Sequence, residues 1–314
     1  MITRRRFIGR SVATAAAAIL WDAVPAFAWD SGPNVRFPSQ VRDRIAVASY
    51  PFRDFIVSQS EQPATGAATR IELKDFPAHV VSKFNIHNVE LWTGHFPSTD
   101  VAYLQQFRSA LDQAKAMVVD IAVDGEHSPY AADRSERDKA IAFSKQWVDI
   151  ASALGSPSIR TNLPEDKDAK PDLELTAESL KRVIEYASSK NIVVHLENDN
   201  PVSEDPFFLV KLIERVNSPW LHALPDFANT LSSSDEQHAY AGIDAMFGHA
   251  YGICHVKETE VSPSGKTVHV DMNKTFGFLK HHGFKGYCSM EFDSPGDPYT
   301  GTAALIEQTL QYLS

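Results

Sequence analysis

The chain has 314 residues, of which 43% are hydrophobic, and carries 40 acidic against 30 basic residues, a formal net charge of −10. This length and hydrophobic fraction suffice for one large domain or two small ones with a substantial core. The acidic balance argues against binding to nucleic acid or to anionic membrane surfaces. It is compatible with a neutral substrate or a bound cation.

The N-terminus has the pattern of an export signal. Arginines at 4–6 precede a short apolar run, and the small-residue sequence Ala-Phe-Ala follows at 26–28. The paired arginines resemble the twin-arginine signal, and the apolar run is shorter than the ~20 residues of a spanning helix. We therefore expect residues 1–28 to be a cleaved signal peptide, with a membrane anchor as the alternative. The mature protein would then be periplasmic or secreted and free of the membrane. The mature chain would keep 26 basic and 39 acidic residues, which gives a formal net charge of −13.

After an N-terminal extension at 29–43, short apolar strands alternate with amphipathic helices. The predicted strands cover 44–50, 87–92, 117–123, 157–162, 191–197, 221–227, 251–257 and 286–292. The segment 138–155 spaces its apolar residues as a helix does, and its last residue, Gly155, is a natural helix stop. Eight such units predict an α/β fold, a single-domain (β/α)8 TIM barrel over residues 44–314. The alternative is a doubly wound sheet, but no G-x-G-x-x-G follows the first strand.

Polar side chains occur at the same end of four consecutive late strands. They are Glu197, Asp226, His255 and Glu291. In a (β/α)8 barrel the active site lies at the C-terminal ends of the strands, so we expect these side chains to converge. Two Glu, one Asp and one His form a hard, oxygen-rich set that suits one divalent ion: Mn²⁺, Mg²⁺ or Co²⁺, with Zn²⁺ also acceptable. The alternatives are ion pairs of the two glutamates with Lys257 and Arg160, and a hydrogen-bonded core histidine.

Several motifs resemble those of the xylose isomerase-like (β/α)8 superfamily, over most of residues 44–314. They are VELWTGHF, IRTN, HLEND, LPDFAN, HVKE and SMEFD. In the epimerase-like and inosose dehydratase-like members, Glu, Asp, His and Glu from strands five to eight hold a divalent metal. The resemblance implies the same role for Glu197, Asp226, His255 and Glu291. Asn229 departs from the pattern, because ketose 3-epimerases often have a histidine three residues after the Asp.

The remaining candidates concern substrate and proton transfer. Residues in or just after the first, second, fourth and sixth strands are candidates for contact with a carbohydrate: Tyr50, Phe52, Arg53, Glu90, His95, Arg160 and Asn229. For Tyr50, Phe52 and Arg53, the alternative is a structural role in packing at the rim of the barrel. Glu197 and Glu291 are candidates to take and return a proton, and Lys257 is a candidate to stabilise developing oxyanion charge.

Three functions fit these residues. The first is a metal-dependent isomerase or epimerase that transfers a proton next to the carbonyl of a non-phosphorylated keto-sugar or cyclitol. The second is a lyase that uses the same site on 3-keto-glycosides. The third is a non-catalytic carbohydrate-binding barrel. The partner is a small carbohydrate and not nucleic acid, a homo-oligomer is compatible with the sequence, and Cys254 and Cys288 are expected to be buried free thiols, with a disulfide as the alternative.

Overall fold

The computed structural model describes residues 32–57, 70–199, 203, 205–262 and 264–314. Residues 31–314 form one compact unit. The predicted signal peptide, residues 1–28, lies outside the described residues. Among the residues that are described, no helix combines the length and the apolar character needed to cross a bilayer.

Eight parallel strands form a barrel in the order β6-β5-β4-β3-β2-β1-β10-β7. Their bounds are β1 Ile45–Ala48, β2 Asn88–Trp92, β3 Met117–Val123, β4 Ser158–Thr161, β5 Val193–Glu197, β6 Leu221–Leu224, β7 Ile253–Val256 and β10 Tyr287–Met290. Backbone bridges join Ala223 to Ala250 and Asp226 to His255, so β6 meets β7 and the barrel closes. The predicted (β/α)8 barrel is confirmed.

Helices follow the strands and surround the barrel. Their bounds are α1 Phe76–Phe84, α2 Val101–Ala114, α3 Arg134–Leu154, α4 Leu173–Ser188, α5 Pro206–Val216, α6 Asn229–Ser233, α7 Glu236–Phe247, α8 Met272–His281 and α9 Pro298–Leu313. Helix α3 ends at Gly155, which has a φ of 76°, as its position in the sequence predicts. Six helices begin with an aspartate whose carboxylate accepts a backbone N–H, and these caps fix where each helix starts: Asp133, Asp172, Asp205, Asp235, Asp271 and Asp297.

Strands β2, β3 and β5 end where the sequence predicts, and the other five barrel strands end one to three residues earlier. Strand β1 stops at Ala48, because Tyr50–Phe52 turns into a short 3-10 helix. Strand β6 stops at Leu224, because Pro225 has no N–H to donate to a ladder. A two-stranded antiparallel hairpin, β8 Thr259–Val261 and β9 Thr267–His269, follows β7 and is absent from the sequence-based prediction.

The N-terminal segment from residue 32 covers the end of the barrel where the strands begin. Phe37 packs edge-on against Tyr251 and Tyr287, with ring centroids 5.2 and 5.9 Å away. The buried Arg44 donates to the carbonyls of Phe284 and Gly286. Because this end is filled by apolar and hydrogen-bonded groups, a ligand must reach the barrel from the end where the strands finish.

Candidate active site and metal centre

The four predicted ligands converge inside the C-terminal end of the barrel. Nδ1 of His255 lies 2.6 Å from Oε1 of Glu197, 3.0 Å from Oε2 of Glu291 and 3.8 Å from Oδ2 of Asp226. One ligand atom from each of the four residues lies within 4.8 Å of the others. All four side chains are buried. Strands β5, β6, β7 and β10 therefore build one compact group of nitrogen and oxygen donors.

The hydrogen bonding of the three carboxylates is incomplete. Oε2 of Glu197, Oδ2 of Asp226 and Oε2 of Glu291 are buried and make no well-aligned hydrogen bond within the described part of the chain. Each of these oxygens lies within ion-pair distance of Arg160, His255 or Lys257, but without an aligned hydrogen bond its lone pairs remain available to a further cation. A hard divalent cation prefers this donor set and would satisfy all three oxygens. The residues that are present therefore fit a divalent ion.

Asp226 is the most firmly positioned of the ligands. Its Oδ1 accepts the backbone N–H groups of Ala228 and Asn229, at 2.8 and 2.7 Å. The side chain of Asn198 donates to the carbonyl of Asp226 and accepts its N–H. These bonds leave Oδ2 directed at the other ligands. Burial, reinforced by the charges of Glu197 and Glu291 and opposed by Lys257, raises the pKa of Asp226 to about 6.

The two glutamates differ in proton affinity. Burial raises the pKa of Glu197 despite the nearby charges of His255 and Arg160. Burial acts in the same direction on Glu291, but His255 and Lys257 outweigh it and lower the pKa of that carboxyl. Carboxyl groups whose environments move their pKa values apart are suited to opposite roles in proton transfer.

Lys257 places an ammonium group beside the ligands. Its Nζ donates to Oδ1 of Asn229 at 2.9 Å and to Oε2 of Glu260 at 3.2 Å. It also lies 3.3 Å from Oε2 of Glu291 and 3.5 Å from Oδ2 of Asp226. Burial alone would lower the pKa of Lys257, but the surrounding carboxylates raise it well above the usual value. The side chain therefore stays cationic.

Arg160 forms a second cationic contact, on the β4 side. Its Nε lies 2.8 Å from Oε2 of Glu197, and its Nη1 contacts Asp124 and Asp199. The indole N–H of Trp92 donates to Asp124 at 2.6 Å. The ion pairs predicted from the sequence as an alternative are therefore present, between Glu197 and Arg160 and between Glu291 and Lys257. Both glutamates nevertheless remain within the candidate ligand group.

A polar cavity of about 430 Å³ lies beside the candidate ligands, of which Glu291 lines it. Its charged lining residues are Glu90, Asp124, Arg160, Asp199, Lys257, Glu260, Glu291 and Asp293. The rings of Tyr50 and Trp92 form its aromatic wall, with centroids 5.4 Å apart and planes at 89°. Burial, followed by the charge of Asp293, raises the pKa of Tyr50 to about 12, so its hydroxyl keeps its proton at neutral pH.

A protein-family model described as "Xylose isomerase-like TIM barrel" matches residues 79–314. The chain belongs to this family. Among solved structures, it is similar to D-allulose 3-epimerase from Methylomonas sp., with TM-score 0.65 and 14% identity over 88% of this chain and 100% of that one. It is also similar to 3-keto-D-glucoside 4-epimerase from E. coli, with TM-score 0.60 and 13% identity over 85% and 98% of the two chains.

A third similar structure is a xylose isomerase-like TIM barrel protein from Mycobacterium smegmatis in complex with magnesium. Its TM-score is 0.63 at 16% identity, over 86% of this chain and 96% of that one. At these identities, the likeness shows a shared fold. The candidate ligand group of this xylose isomerase-like barrel rests on the geometry of its own residues.

The seven predicted substrate contacts differ in their position relative to the cavity. Four line the cavity of this xylose isomerase-like barrel: Tyr50, Glu90, Arg160 and Asn229. Arg53 lies beside the cavity, where its guanidinium stacks 4.5 Å from the Tyr50 ring and pairs with Asp293 at 2.9 Å. Phe52 and His95 are not among the lining residues.

Phe52 and His95 pack elsewhere for identifiable reasons. Phe52 is fully buried in an aromatic cluster that includes Phe76 and Tyr299, because the 3-10 turn sends it away from the cavity. His95 is fully buried between Ser49, 3.1 Å from its Nδ1, and the edge of the Trp92 ring. Burial, with the charge of Arg53, lowers the pKa of His95 to about 4, so the ring is neutral.

Sequence reasoning missed two residues that organise the site. Asp124 follows β3 and links Trp92 to Arg160, and Asn198 follows Glu197 and holds the backbone of Asp226. Both are polar residues directly after a barrel strand, which is the signal that could have found them. The thiols of Cys254 and Cys288 are buried and free, with Sγ atoms 3.8 Å apart.

Proposed function

We propose that the protein is a divalent-metal-dependent sugar isomerase or epimerase. In this proposal it transfers a proton at the carbon adjacent to the carbonyl of a non-phosphorylated keto-sugar or cyclitol. The observation that carries the proposal is the convergence of Glu197, Asp226, His255 and Glu291 within 4.8 Å of one another, next to a polar cavity that Glu291 lines. Membership of the xylose isomerase-like family and the likeness to epimerase structures support it.

The four ligand residues would hold the ion. A bound divalent ion supplies Lewis acidity that polarises a substrate carbonyl and makes the neighbouring C–H more acidic. The ion would be Mn²⁺, Mg²⁺ or Co²⁺, because three of the four ligand groups are hard carboxylates, with Zn²⁺ also acceptable. The other steps belong to side chains of this chain.

Glu197 is the stronger base of the two glutamates, since its pKa is raised while that of Glu291 is lowered. In the proposed reaction, a carboxylate oxygen of Glu197 takes the proton, the C–H electron pair forms a C=C bond, and the π pair of the carbonyl moves onto its oxygen to give an enediolate of the sugar. Glu291, whose lowered pKa leaves it ionised, relays a proton from solvent to the other side of the enediolate, and Glu197 releases its proton to solvent. Return to the same carbon inverts it, and return to the neighbouring carbon moves the carbonyl.

Lys257 and the aromatic wall position the substrate. The ammonium of Lys257 lies 3.3 Å from Glu291 and borders the cavity, so it can stabilise negative charge on the enediolate oxygen. Tyr50 and Trp92 present aromatic surface for the apolar face of a sugar ring. Arg160, with three carboxylate partners, holds Glu197 in place.

The charge of the cavity favours an uncharged substrate. Its lining contains six acidic side chains and two basic ones, and both basic groups are already paired with carboxylates. A phosphate or carboxylate on the substrate would add a further negative charge beside these groups, and like charges brought together are costly. This argument supports a non-phosphorylated sugar.

The direct test is deuterium exchange. Metal-loaded protein is incubated in D₂O with a panel of keto-sugars and keto-glycosides, and deuterium at each carbon is followed by NMR. We expect exchange at a carbon next to the carbonyl, abolished by EDTA and reduced by Glu197→Gln. Loss of a substituent after exchange would identify the lyase alternative. Absence of exchange with every sugar, while metal is bound, would contradict the enzyme and favour a carbohydrate-binding barrel.

A further inference from the structure

Glu90 contacts the candidate metal ligand His255 from the other edge of its imidazole ring. Oε1 of Glu90 lies 2.8 Å from Nε2 of His255, while Nδ1 of the same ring faces Glu197 at 2.6 Å. Glu90 and His255 are 2% and 1% exposed, so water does not compete for this contact. The two nitrogens of His255 therefore have separate environments, a lone carboxylate at Nε2 and the other ligands at Nδ1.

The backbone holds Glu90 firmly in this place. Glu90 lies inside β2, in register with Ala48 of β1, and its carbonyl accepts the N–H of Ser49 at 2.9 Å. The pairing of β2 with β3 shifts by one residue between Val89 and Glu90. Irregularities of this kind redirect side chains near active sites.

We propose that Glu90 is a positioning residue of the metal centre. A neutral imidazole carries its proton on one nitrogen and binds a metal through the other. Without an ion, both nitrogens of His255 face carboxylates and the ring is a cation. When an ion takes the place of the proton on Nδ1, the carboxylate of Glu90, which accepts but does not donate, would keep the remaining proton on Nε2. The contact also fixes the plane of the ring. This inference rests on the proposed metal-dependent function.

The second oxygen of Glu90 has a different environment. Oε2 is buried and makes no hydrogen bond to any described residue, and Glu90 borders the cavity. The predicted contact with a substrate hydroxyl can use Oε2 while Oε1 holds His255. The positioning role is thus separable from substrate binding when metal affinity is measured without substrate.

The test compares three substitutions in the purified full chain. Mn²⁺ affinity is measured by titration calorimetry, and the absorption of bound Co²⁺ reports the ligand geometry. Glu90→Gln keeps an acceptor oxygen at the same reach, Glu90→Asp keeps the charge but withdraws it by one methylene, and Glu90→Ala removes both. We expect Glu90→Ala and Glu90→Asp to weaken Mn²⁺ binding roughly 10–100-fold and to change the Co²⁺ spectrum. Glu90→Gln should stay close to wild type in both measurements.

The control is a second buried carboxylate–histidine pair. Oδ1 of Asp120 lies 3.2 Å from Nδ1 of His195, both side chains are fully buried, and neither is among the candidate ligands. Asp120→Asn should leave Mn²⁺ affinity unchanged even where it lowers the melting temperature. Comparing Glu90→Gln with Glu90→Asp keeps the test decisive if Glu90→Ala does not fold.

Two results would overturn the inference. If Glu90→Asp bound Mn²⁺ like wild type and Glu90→Gln bound it as weakly as Glu90→Ala, Glu90 would act through its charge alone. If all three variants bound it like wild type, the contact would have no role in the metal centre. A wild-type protein that binds no Mn²⁺ or Co²⁺ would refute the proposed function itself, which distinguishes that failure from the failure of the Glu90 inference.

Discussion

Asp226 should destabilise the metal-free protein at neutral pH and stabilise the metal-loaded one. Its carboxyl is fully buried, and its pKa rises from 3.8 to about 6 in the folded protein. The folded state therefore holds this proton more tightly than the unfolded state. The contribution of Asp226 to stability falls as the pH rises from about 4 to 6, and it stays at its lowest value above pH 6.

The size of this effect follows from the two pKa values. A rise from 3.8 to about 6 corresponds to about 3 kcal/mol, because one pH unit is worth about 1.4 kcal/mol. Asp226→Asn removes the ionisation, and the amide oxygen can still accept the N–H groups of Ala228 and Asn229. In EDTA at pH 8, this variant should be more stable than wild type by up to about 3 kcal/mol. Near pH 4 the difference should largely disappear.

Saturating Mn²⁺ should make wild type more stable than Asp226→Asn. An ion that binds only the folded state adds about 2.7 kcal/mol when its concentration is 100 times its dissociation constant. Wild type should gain this stabilisation, and Asp226→Asn should lose much of it with one ligand charge removed. Denaturant unfolding of wild type and Asp226→Asn, each in EDTA and in Mn²⁺ at pH 4.5 and pH 8, measures the eight free energies of unfolding.

A control variant separates this effect from general loss of a buried carboxylate. Asp120 has partners in Ser158 and His195, so Asp120→Asn should not stabilise the protein in EDTA and should not change its response to Mn²⁺. The reasoning is refuted if Asp226→Asn is less stable than wild type in EDTA at pH 8, or if Mn²⁺ stabilises both proteins equally.

Three further predictions concern catalysis and export. Glu197→Gln and Glu291→Gln should each reduce turnover by roughly 10²–10⁴-fold, while substrate binding is less affected. Steady-state kinetics on a substrate identified by deuterium exchange measures both effects. Deuterium exchange close to that of wild type in both variants would contradict the proton-transfer roles. Lys257→Ala should reduce turnover less than either change, because it acts on developing charge and not on the transferred proton, and a larger loss would contradict that role. Secreted protein should begin after Ala28 by N-terminal sequencing; an intact N-terminus on protein kept in the cytoplasm would contradict export.

Much of the fold was predictable because barrel strands repeat a simple pattern. Short β-branched runs alternate with helical spacing, and parallel strands deliver their C-terminal residues to one end of the barrel. That rule alone placed Glu197, Asp226, His255 and Glu291 together, as the structure does. Side-chain alternation along each strand then directed these groups into the barrel.

The sequence-based prediction fails where the chain leaves the strand geometry. The expectation that Tyr50 and Phe52 both face the substrate needs an extended chain, and the 3-10 turn breaks that alternation so that only Tyr50 lines the cavity. The roles of Asp124 and Asn198 depend on partners that lie far apart in sequence, in β2, in β4 and just after β6. No local pattern specifies such partners.

The distribution of charge explains how such an acidic site can fold before an ion binds. Glu197 is in contact with Arg160 and His255, and Glu291 with His255 and Lys257, at distances of 2.6–3.3 Å. The cations nearest to Oδ2 of Asp226 lie farther away, at 3.5 and 3.8 Å. Protein cations thus lie closer to Glu197 and Glu291 than to Asp226, although only the pKa of Glu291 is lowered and those of Glu197 and Asp226 are raised. The greatest stabilisation from a bound ion is therefore expected at Asp226, which is why that residue is the most sensitive probe of whether the ion is bound.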